Sequence, residues 1–373
     1  MPKTKKRLRV AMFAGNTHPI PPKDIIMANF SIALAIADGM KARGHDVTLF
    51  AAEGTRTKAK LVTNGMLPLT ETSLSSLIKE QPTGFTAREP ERSTAFYAQT
   101  MISELYRRHL ARPFDLIHHH QVMRPIHYAK LTKTPHLFTV HDPVTPLSKW
   151  LYGFYAKTKN VNFVALSRNQ RQCAPKLPWA TTIHNGVDVK EYPFKETPKD
   201  FLMFAGRITA EKGPHRAIIA AKQAKAPLKI FGPYGGQGTD NQDFWEEEIA
   251  PRLSAKVTFE GFRERLSLIR EYAKARAVLM PITWEEPFGL VAIEAMACGT
   301  PVIAFKRGAL PEIVVHGKTG FLVNSVDEMA RAIKRIDQID RAACRRHVEQ
   351  HFSIERMVDR YERAYYALAK RPK

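Results

Sequence analysis

Short apolar runs alternate with amphipathic stretches along nearly the whole chain. The first example is an apolar run at 8–14, a proline-rich loop, and a stretch at 28–43 whose apolar residues recur at helical spacing. Gly44 then ends the predicted helix, and 47–51 is the next apolar run. Strands that alternate with helices in this way predict parallel sheets covered by helices.

The same pattern predicts strands in both halves of the chain. They lie at 116–119, 136–140, 162–166 and 181–183, and, in the second half, at 201–205, 228–231, 257–260, 277–280 and 301–304. A polar stretch at 195–200 separates the halves, and 354–368 forms one amphipathic helix. We therefore predict domains at 1–195 and 196–352 and a C-terminal helical segment at 353–373. Ligands of such sheets bind at the carboxyl ends of the strands.

Composition narrows the class of protein. The 373 residues are 44% hydrophobic and 25% charged, an ordinary globular balance. No apolar run approaches 18 residues, and 10–14 is too short for the apolar region of a signal peptide. Cys173, Cys298 and Cys344 are far apart, which argues against a disulfide framework. We therefore expect a cytoplasmic protein.

Charge points to an anionic partner. The net charge is +21, and residues 1–190 carry 27 Lys and Arg against 12 Asp and Glu. The remaining residues carry 30 against 24. Nucleic acid, a phospholipid surface and phosphorylated substrates all fit a chain of this charge.

The strongest candidate site follows the predicted strand at 277–280. Glu286 lies in the loop, and Glu294 lies about one and a half turns into the next helix. Gly289 lets backbone approach a ligand, and the N–H groups of 288–290 would point towards it. Carboxylates suit a ligand rich in hydroxyls, such as a sugar or a ribose. The same spacing also fits a capped helix with an acidic first turn.

A second candidate follows the predicted strand at 201–205. Gly206, Arg207, Lys212 and Gly213 place two cations and two glycines at the start of a helix. This arrangement suits a diphosphate cradle, and it also fits a solvated charged turn. A glycine-rich loop at 232–236 ends the next strand and could face the same site.

A cluster of histidines stands in the first half. His118, His119 and His120 are consecutive, and His127 is close in sequence. Neighbours on a strand point to opposite faces, so three in a row do not ligate one ion. We expect no metal site here, and one or two of these side chains to line the cleft.

Taken together, these motifs resemble the donor-site signature of glycosyltransferase family 4, whose members are retaining enzymes with the GT-B fold. The matching residues are Gly206-Arg207-x4-Lys212-Gly213, Glu286-x7-Glu294, Gly299-Thr300-Pro301-Val302, Gly308-x2-Pro311-Glu312 and Asn185-Gly186-Val187-Asp188. The final helix, with Tyr361, Tyr365 and Tyr366, resembles the helix that crosses back to the first domain. The resemblance covers nearly the whole chain. It implies two doubly wound, Rossmann-like parallel-sheet domains with a cleft between them.

The resemblance also implies roles for donor-side residues. Arg207 and Lys212 would bind the donor diphosphate and stabilise charge on the leaving nucleotide. Glu294 would hold the ribose hydroxyls. Glu286 and the backbone of Phe288, Gly289 and Leu290 would hold the sugar. Residues that end the neighbouring strands would complete the donor site: Gly206, Gly232, Phe262 and Arg263, the last two beside the base.

The first half resembles the family less completely. His141 matches the histidine near the reacting sugar, although it also fits a histidine that merely caps a strand end. Gly15 would approach the diphosphate from the end of the first strand. Relatives usually carry a Gly-Gly pair after the proline-rich stretch, where this chain has KDIIM at 23–27. That departure bears on the N-terminal phosphate contact and on the acceptor geometry.

The sequence thus predicts a retaining hexosyltransferase that uses a nucleoside diphosphate sugar as substrate, with UDP favoured over GDP. No cofactor is expected, and no metal, because no Asp-x-Asp motif follows a strand. The basic first half, with aromatics near its lysines, predicts a lipid-linked acceptor reached by peripheral docking on an anionic membrane at its inner face. The alternatives are a GT-B phosphorylase and a basic nucleic-acid or membrane-binding protein on an inactive transferase scaffold. The intact donor motifs argue against nucleic acid as the partner.

Overall fold

The computed structural model describes residues 6–22, 28–73, 88–234 and 239–370. The chain divides into two compact units. The first comprises Met1–Leu166, Arg171–His184 and Ile354–Lys373, and the second comprises Ser167–Gln170 and Asn185–Ser353. The expected boundary after Lys195 therefore lies inside the second unit. Two stretches named above, 23–27 and 235–236, lie outside the described residues.

The described strands and helices alternate along most of the chain. The strands are β1 (Arg9–Gly15), β2 (Asp46–Ala51), β3 (Lys60–Val62), β4 (Leu116–His119), β5 (His136–Thr139), β6 (Val161–Ala165), β7 (Trp179–Thr182), β8 (Leu202–Ala205), β9 (Leu228–Phe231), β10 (Val257–Gly261), β11 (Ala277–Met280), β12 (Val302–Phe305) and β13 (Gly320–Val323). The α-helices are α1 (Ala28–Ala42), α2 (Glu89–Ala111), α3 (Pro146–Tyr155), α4 (Arg168–Gln172), α5 (Pro214–Ala224), α6 (Thr239–Phe244), α7 (Arg265–Lys274), α8 (Leu290–Ala297), α9 (Leu310–Ile313), α10 (Val326–Ile333), α11 (Arg341–His351) and α12 (Ile354–Ala369).

Each unit is built on one parallel sheet. In the first, the strand order is β3-β2-β1-β4-β5-β6-β7, and in the second it is β10-β9-β8-β11-β12-β13. All paired strands run parallel. In the first sheet, β2 and β3 lie on one side of β1, and the later strands from β4 onwards lie on its other side. In the second sheet, the strand order changes side in the same way between β8 and β11. Ligands of doubly wound sheets bind at such switch points, outside the carboxyl ends of the strands.

Side chains alternate between the two faces of the first sheet. Phe13 of β1 packs with Met101 and Leu105 of α2 in one buried cluster. On the opposite face α12 packs beside α1. A Cβ on Gly39 would lie 2.7 Å from Val358, so this glycine lets the two helices approach closely. The C-terminal helix is therefore an integral part of the first unit.

The Gly299–Val302 segment serves packing in the second unit. Thr300 is fully buried, and its hydroxyl donates to the carbonyl of Tyr272 at 2.6 Å. The buried guanidinium of Arg341 donates to the same hydroxyl and to the carbonyls of Ala273 and Ala275. Buried polar groups satisfied in this way fix one arrangement of α7, β12 and α11.

The observed strands agree with the predicted ones to within about two residues at each end. The short strands β3 and β13 and the long helix α2 were not predicted. Among the described residues, no helix is long and apolar enough to cross a membrane.

Candidate functional site

Two loops of the second unit meet at its switch point. One runs from the end of β8 to α5 and carries Gly206, Arg207, Lys212 and Gly213. The other runs from the end of β11 to α8. Because β8 and β11 are neighbours in the sheet, the loops begin side by side. The structure thus brings together two motifs that lie about 70 residues apart in the sequence.

The centre of this site is the carboxylate of Glu286. Its Oε2 lies 2.6 Å from Nζ of Lys212 and accepts a hydrogen bond of 2.8 Å from the indole Nε1 of Trp284. Both partners of the Lys212–Glu286 pair are largely buried. Charge-assisted hydrogen bonds of this kind are roughly twice as strong as neutral ones. Lys212 and Trp284 therefore both hold the Glu286 carboxylate in this position.

Trp284 also contacts the two cations expected at the donor diphosphate. The ammonium of Lys212 lies 4.5 Å from the centre of its ring, and the guanidinium of Arg207 lies 5.7 Å from it. Arg207 is more exposed and pairs with Glu211 at 3.6 Å. Cations over an indole face are held by its quadrupole. The ring thus lies within cation–π distance of both positive charges.

Two glycines allow the loops to come this close. Gly213 has a φ of +77°, and a Cβ there would collide with the carbonyl oxygen of Pro281. Gly308 has a φ of +57°, and a Cβ there would lie 2.5 Å from the backbone nitrogen of Glu286. The N–H of Ala309 donates to the carbonyl of Glu286 at 2.9 Å. The Gly308 motif therefore buttresses the Glu286 loop.

Glu294 lies on α8, whose N-cap is Gly289. The hydroxyl of Tyr192 donates to Oε1 of Glu294 at 3.3 Å, and Nη2 of Arg265 donates to the same hydroxyl at 3.2 Å. Desolvation raises the pKa of Glu294, and the charge of Arg265 opposes that rise. Burial thus destabilises the charged form of Glu294, and carboxyl groups with pKa values shifted in this way are common at functional sites.

The remaining donor-side candidates end neighbouring strands. Gly232 follows β9, and its N–H donates to the carbonyl of Gly261 at 3.0 Å. Phe262 and Arg263 come directly after β10. Arg263 is exposed, and its Nη2 lies 3.4 Å from Oε2 of Glu260. These residues share the carboxyl edge of the sheet. Phe288 is buried against Phe352, while Leu290 begins α8.

The candidates of the first half, Gly15 and His141, belong to the first unit. Gly15 ends β1 beside the side chain of Gln121. Nε2 of His141 lies 3.0 Å from Nδ1 of His120, and burial lowers the pKa of His141 to about 3. His141 is therefore neutral at physiological pH, and its Nε2 shares with Nδ1 of His120 a hydrogen bond in which either nitrogen can be the donor.

The three consecutive histidines have separate partners. Nδ1 of His118 lies 2.7 Å from the hydroxyl of Tyr365 on α12, whereas Nε2 of His119 lies 3.2 Å from Nδ1 of His136. His118 and His119 thus point to opposite faces, as strand alternation predicts, and both lie in the protein core. In the described part of the chain, no three His, Cys, Asp or Glu side chains are placed to hold a metal ion.

Trp284 and Tyr192 take part in these contacts although the sequence motifs assigned them no role. Trp284 stands beside the glutamates in the sequence, so its position was available as a signal. Tyr192 contacts Glu294 and His120 contacts His141, and these partners are 102 and 21 residues away in the sequence. Their spacing in the sequence therefore gives no signal of either contact.

Two family models together match residues 31–350 of the chain. Residues 31–191 match the model for Glycosyltransferase Family 4, and residues 188–350 match the model for Glycosyl transferases group 1. Glycogen synthase of Mycobacterium tuberculosis is 32% identical over 183 residues, which cover 46% of this chain and 43% of that protein. The chain thus aligns with less than half the length of this curated relative.

Solved structures are similar over nearly the full length. Sucrose-phosphate synthase from Thermosynechococcus elongatus matches with a TM-score of 0.74 at 20% identity, over 97% of this chain and 99% of that one. HepE of Anabaena, solved in complex with UDP-glucose, matches with a TM-score of 0.69 at 19% identity, over 97% and 100%. The fold is GT-B. The two family models, which together span residues 31–350, show that the chain belongs to the family 4 glycosyltransferases.

Proposed function

We propose that the protein transfers a hexose from a nucleoside diphosphate sugar to an acceptor with retention of the anomeric configuration. The meeting of Arg207, Lys212 and Glu286 around Trp284, with Glu294 on the following helix, carries this proposal. Cations suit a diphosphate, and carboxylates suit the hydroxyls of a sugar and a ribose.

Each group has a defined task in the donor complex. Arg207 and Lys212 bind the diphosphate, and Glu294 accepts hydrogen bonds from the ribose hydroxyls. Glu286 turns from Lys212 towards the sugar hydroxyls, with the backbone of 288–290 alongside. The base lies beside Phe262 and Arg263. UDP is favoured because HepE, which shares the fold, was solved with UDP-glucose; GDP is the alternative.

The chemistry is a front-face displacement. The bond from the anomeric carbon to the diphosphate oxygen breaks, and the acceptor oxygen bonds to the same face of that carbon. The acceptor proton passes to the leaving phosphate oxygen. Positive charge from Arg207 and Lys212 stabilises the diphosphate as it departs. His141 of the first unit is neutral near pH 7 because burial lowers its pKa to about 3, so no step of this scheme uses it as an acid.

A donor-hydrolysis screen tests the proposal. UDP-, GDP- and ADP-hexoses are incubated with the protein, with and without a chelator, and the released nucleotide is measured. We expect turnover of at least one donor, unchanged by the chelator. Turnover of none, with or without added manganese, would favour a binding protein on an inactive scaffold. Loss in chelator that manganese restores would contradict the metal-free mechanism.

A further inference from the structure

One face of α3 in the first unit exposes large apolar side chains. Leu147, Trp150 and Phe154 are 64%, 68% and 59% exposed, and their spacing places them on one side of the helix. The rings of Trp150 and Phe154 stack, with centroids 6.2 Å apart. The opposite side of the helix is buried through Leu151, Tyr152 and Tyr155. The exposed side chains are therefore not needed to hold α3 on the domain.

Leu131 and a set of lysines extend this surface, which we call the α3 face. Leu131 is 66% exposed, and Nζ of its neighbour Lys130 lies 4.8 Å from the ring centre of Phe154. Exposed lysines stand close by in the sequence: Lys130, Lys133, Lys149, Lys157 and Lys159. Asp142 is the only acidic residue between 124 and 160. The α3 face is thus an apolar stripe in contact with Lys130, within a stretch of chain that has five exposed lysines and one acidic residue.

We propose that the α3 face docks the protein on the surface of an anionic lipid bilayer. Tryptophan and phenylalanine beside lysines are typical of helices that lie in a membrane interface, where rings enter the acyl boundary and ammonium groups meet phosphates. A protein partner fits less well, because lysine is depleted at the cores of protein interfaces. Each lysine near an anionic surface strengthens binding roughly fivefold.

The α3 face lies at the same edge of the first domain as His141. α3 begins five residues after His141, at the carboxyl edge of the first sheet. Docking there would present this edge of the domain to the bilayer. Resting on the proposed function, this placement favours an acceptor whose hydroxyl belongs to a lipid or a lipid-linked saccharide.

Vesicle flotation of the full chain tests the docking. Phosphatidylcholine vesicles with about a third phosphatidylglycerol are compared with pure phosphatidylcholine at 50 mM and 500 mM salt. We expect flotation with the anionic vesicles, weakened at high salt because exposed charges are then screened. Trp150→Ala with Phe154→Ala should lower the partition coefficient roughly tenfold or more, and Lys149→Ser with Lys157→Ser and Lys159→Ser should do likewise.

Matched variants lie on α2 of the same unit. Phe96 and Leu110 are 60% and 74% exposed, so Phe96→Ala with Leu110→Ala removes comparable apolar surface elsewhere and should leave flotation unchanged. Equal flotation of the two double variants, or of neutral and anionic vesicles, would overturn the docking. So would a dimer in light scattering that Trp150→Ala with Phe154→Ala dissociates, because the face would then bind a second copy. Donor hydrolysis without lipid is measured in parallel and should be unaffected, so failure of docking is distinguishable from failure of the proposed function.

Discussion

The indole N–H of Trp284 donates to the same Glu286 oxygen that Lys212 contacts. A single carboxylate oxygen thus receives one neutral and one charged partner, both provided by loops at the switch point of the second sheet. In the donor complex proposed above, Glu286 turns to the sugar and releases Lys212 for the diphosphate. We expect the hydrogen bond from Trp284 to keep the carboxylate near its place during this exchange.

Trp284→Phe should therefore lower kcat while leaving donor KM largely unchanged. The phenyl ring retains a face for the cations, but the N–H that holds Glu286 is gone. A hydrogen bond to a charged group contributes about 1.5–3 kcal/mol, which corresponds to a loss of roughly ten- to a hundredfold. Trp179→Phe, which removes an indole N–H in the first unit, is the control. Equal kinetics of the two variants would contradict this role.

Arg207→Ala and Lys212→Ala should lower turnover more than they weaken sugar recognition. Their charge matters most as the diphosphate leaves, and loss of one such contact typically costs on the order of a hundredfold in kcat. Lys212→Ala should be the more severe, because it leaves the largely buried Glu286 without its cation. Steady-state kinetics with Lys222→Ala, an exposed lysine on α5, as control would test this. Near-normal kcat in both variants would exclude the assignment.

The strands that carry the site could be predicted because each is an apolar run beside a turn. β3 could not, since Lys60–Val62 is too short to show alternation. α2 escaped prediction although its buried residues Ala98, Met101, Ile102 and Leu105 recur at helical spacing. That stretch is polar on average and lacks an evident N-terminal capping signal.

Motif spacing located the donor loops but not their internal contacts. Lys212 and Glu286 were assigned separately to the diphosphate and the sugar, and only the sheet order makes them an ion pair. The motif Gly308-x2-Pro311-Glu312 matched the family, but its sequence indicated no structural role. Its role became visible once Gly308 was seen against the backbone of Glu286.

The buried histidines of the first unit should make the fold sensitive to acid. Burial lowers the pKa values of His118, His136 and His141 to about 3 and those of His119 and His120 well below 6.5. The unfolded chain therefore binds protons first as pH falls below about 6.5. The free energy of unfolding should have its full value above about pH 6.5 and decrease as pH falls from there towards about 3, by up to about 1.4 kcal/mol per pH unit for each histidine.

Thermal unfolding against pH measures this decline. His119→Leu with His136→Leu should flatten the curve, whereas His316→Gln, at an exposed histidine, should leave it unchanged. A wild-type Tm that is equal at pH 7 and pH 5 would show that these histidines do not control acid stability.

Glu294→Gln should affect stability and ligand binding in opposite directions. The pKa of Glu294 is raised above 4.5 in the folded state, so ionisation of this carboxyl lowers the free energy of unfolding. This destabilisation is absent below pH 4.5 and reaches its full size above the raised pKa. The neutral variant should therefore have a higher Tm than the wild type at pH 8, without ligand. Glu196→Gln, at an exposed site of the same unit, should not change the Tm.

Calorimetric titration of UDP, GDP and ADP into the wild type and Glu294→Gln tests the central claim most directly, that the second unit binds a nucleoside diphosphate through this carboxylate. The wild type should bind at least one of the three with a stoichiometry of one. Glu294→Gln should bind it more weakly by roughly 1–3 kcal/mol, since one ribose hydroxyl loses its acceptor. Unchanged affinity in the variant, or no binding of any of the three by the wild type, would contradict the account.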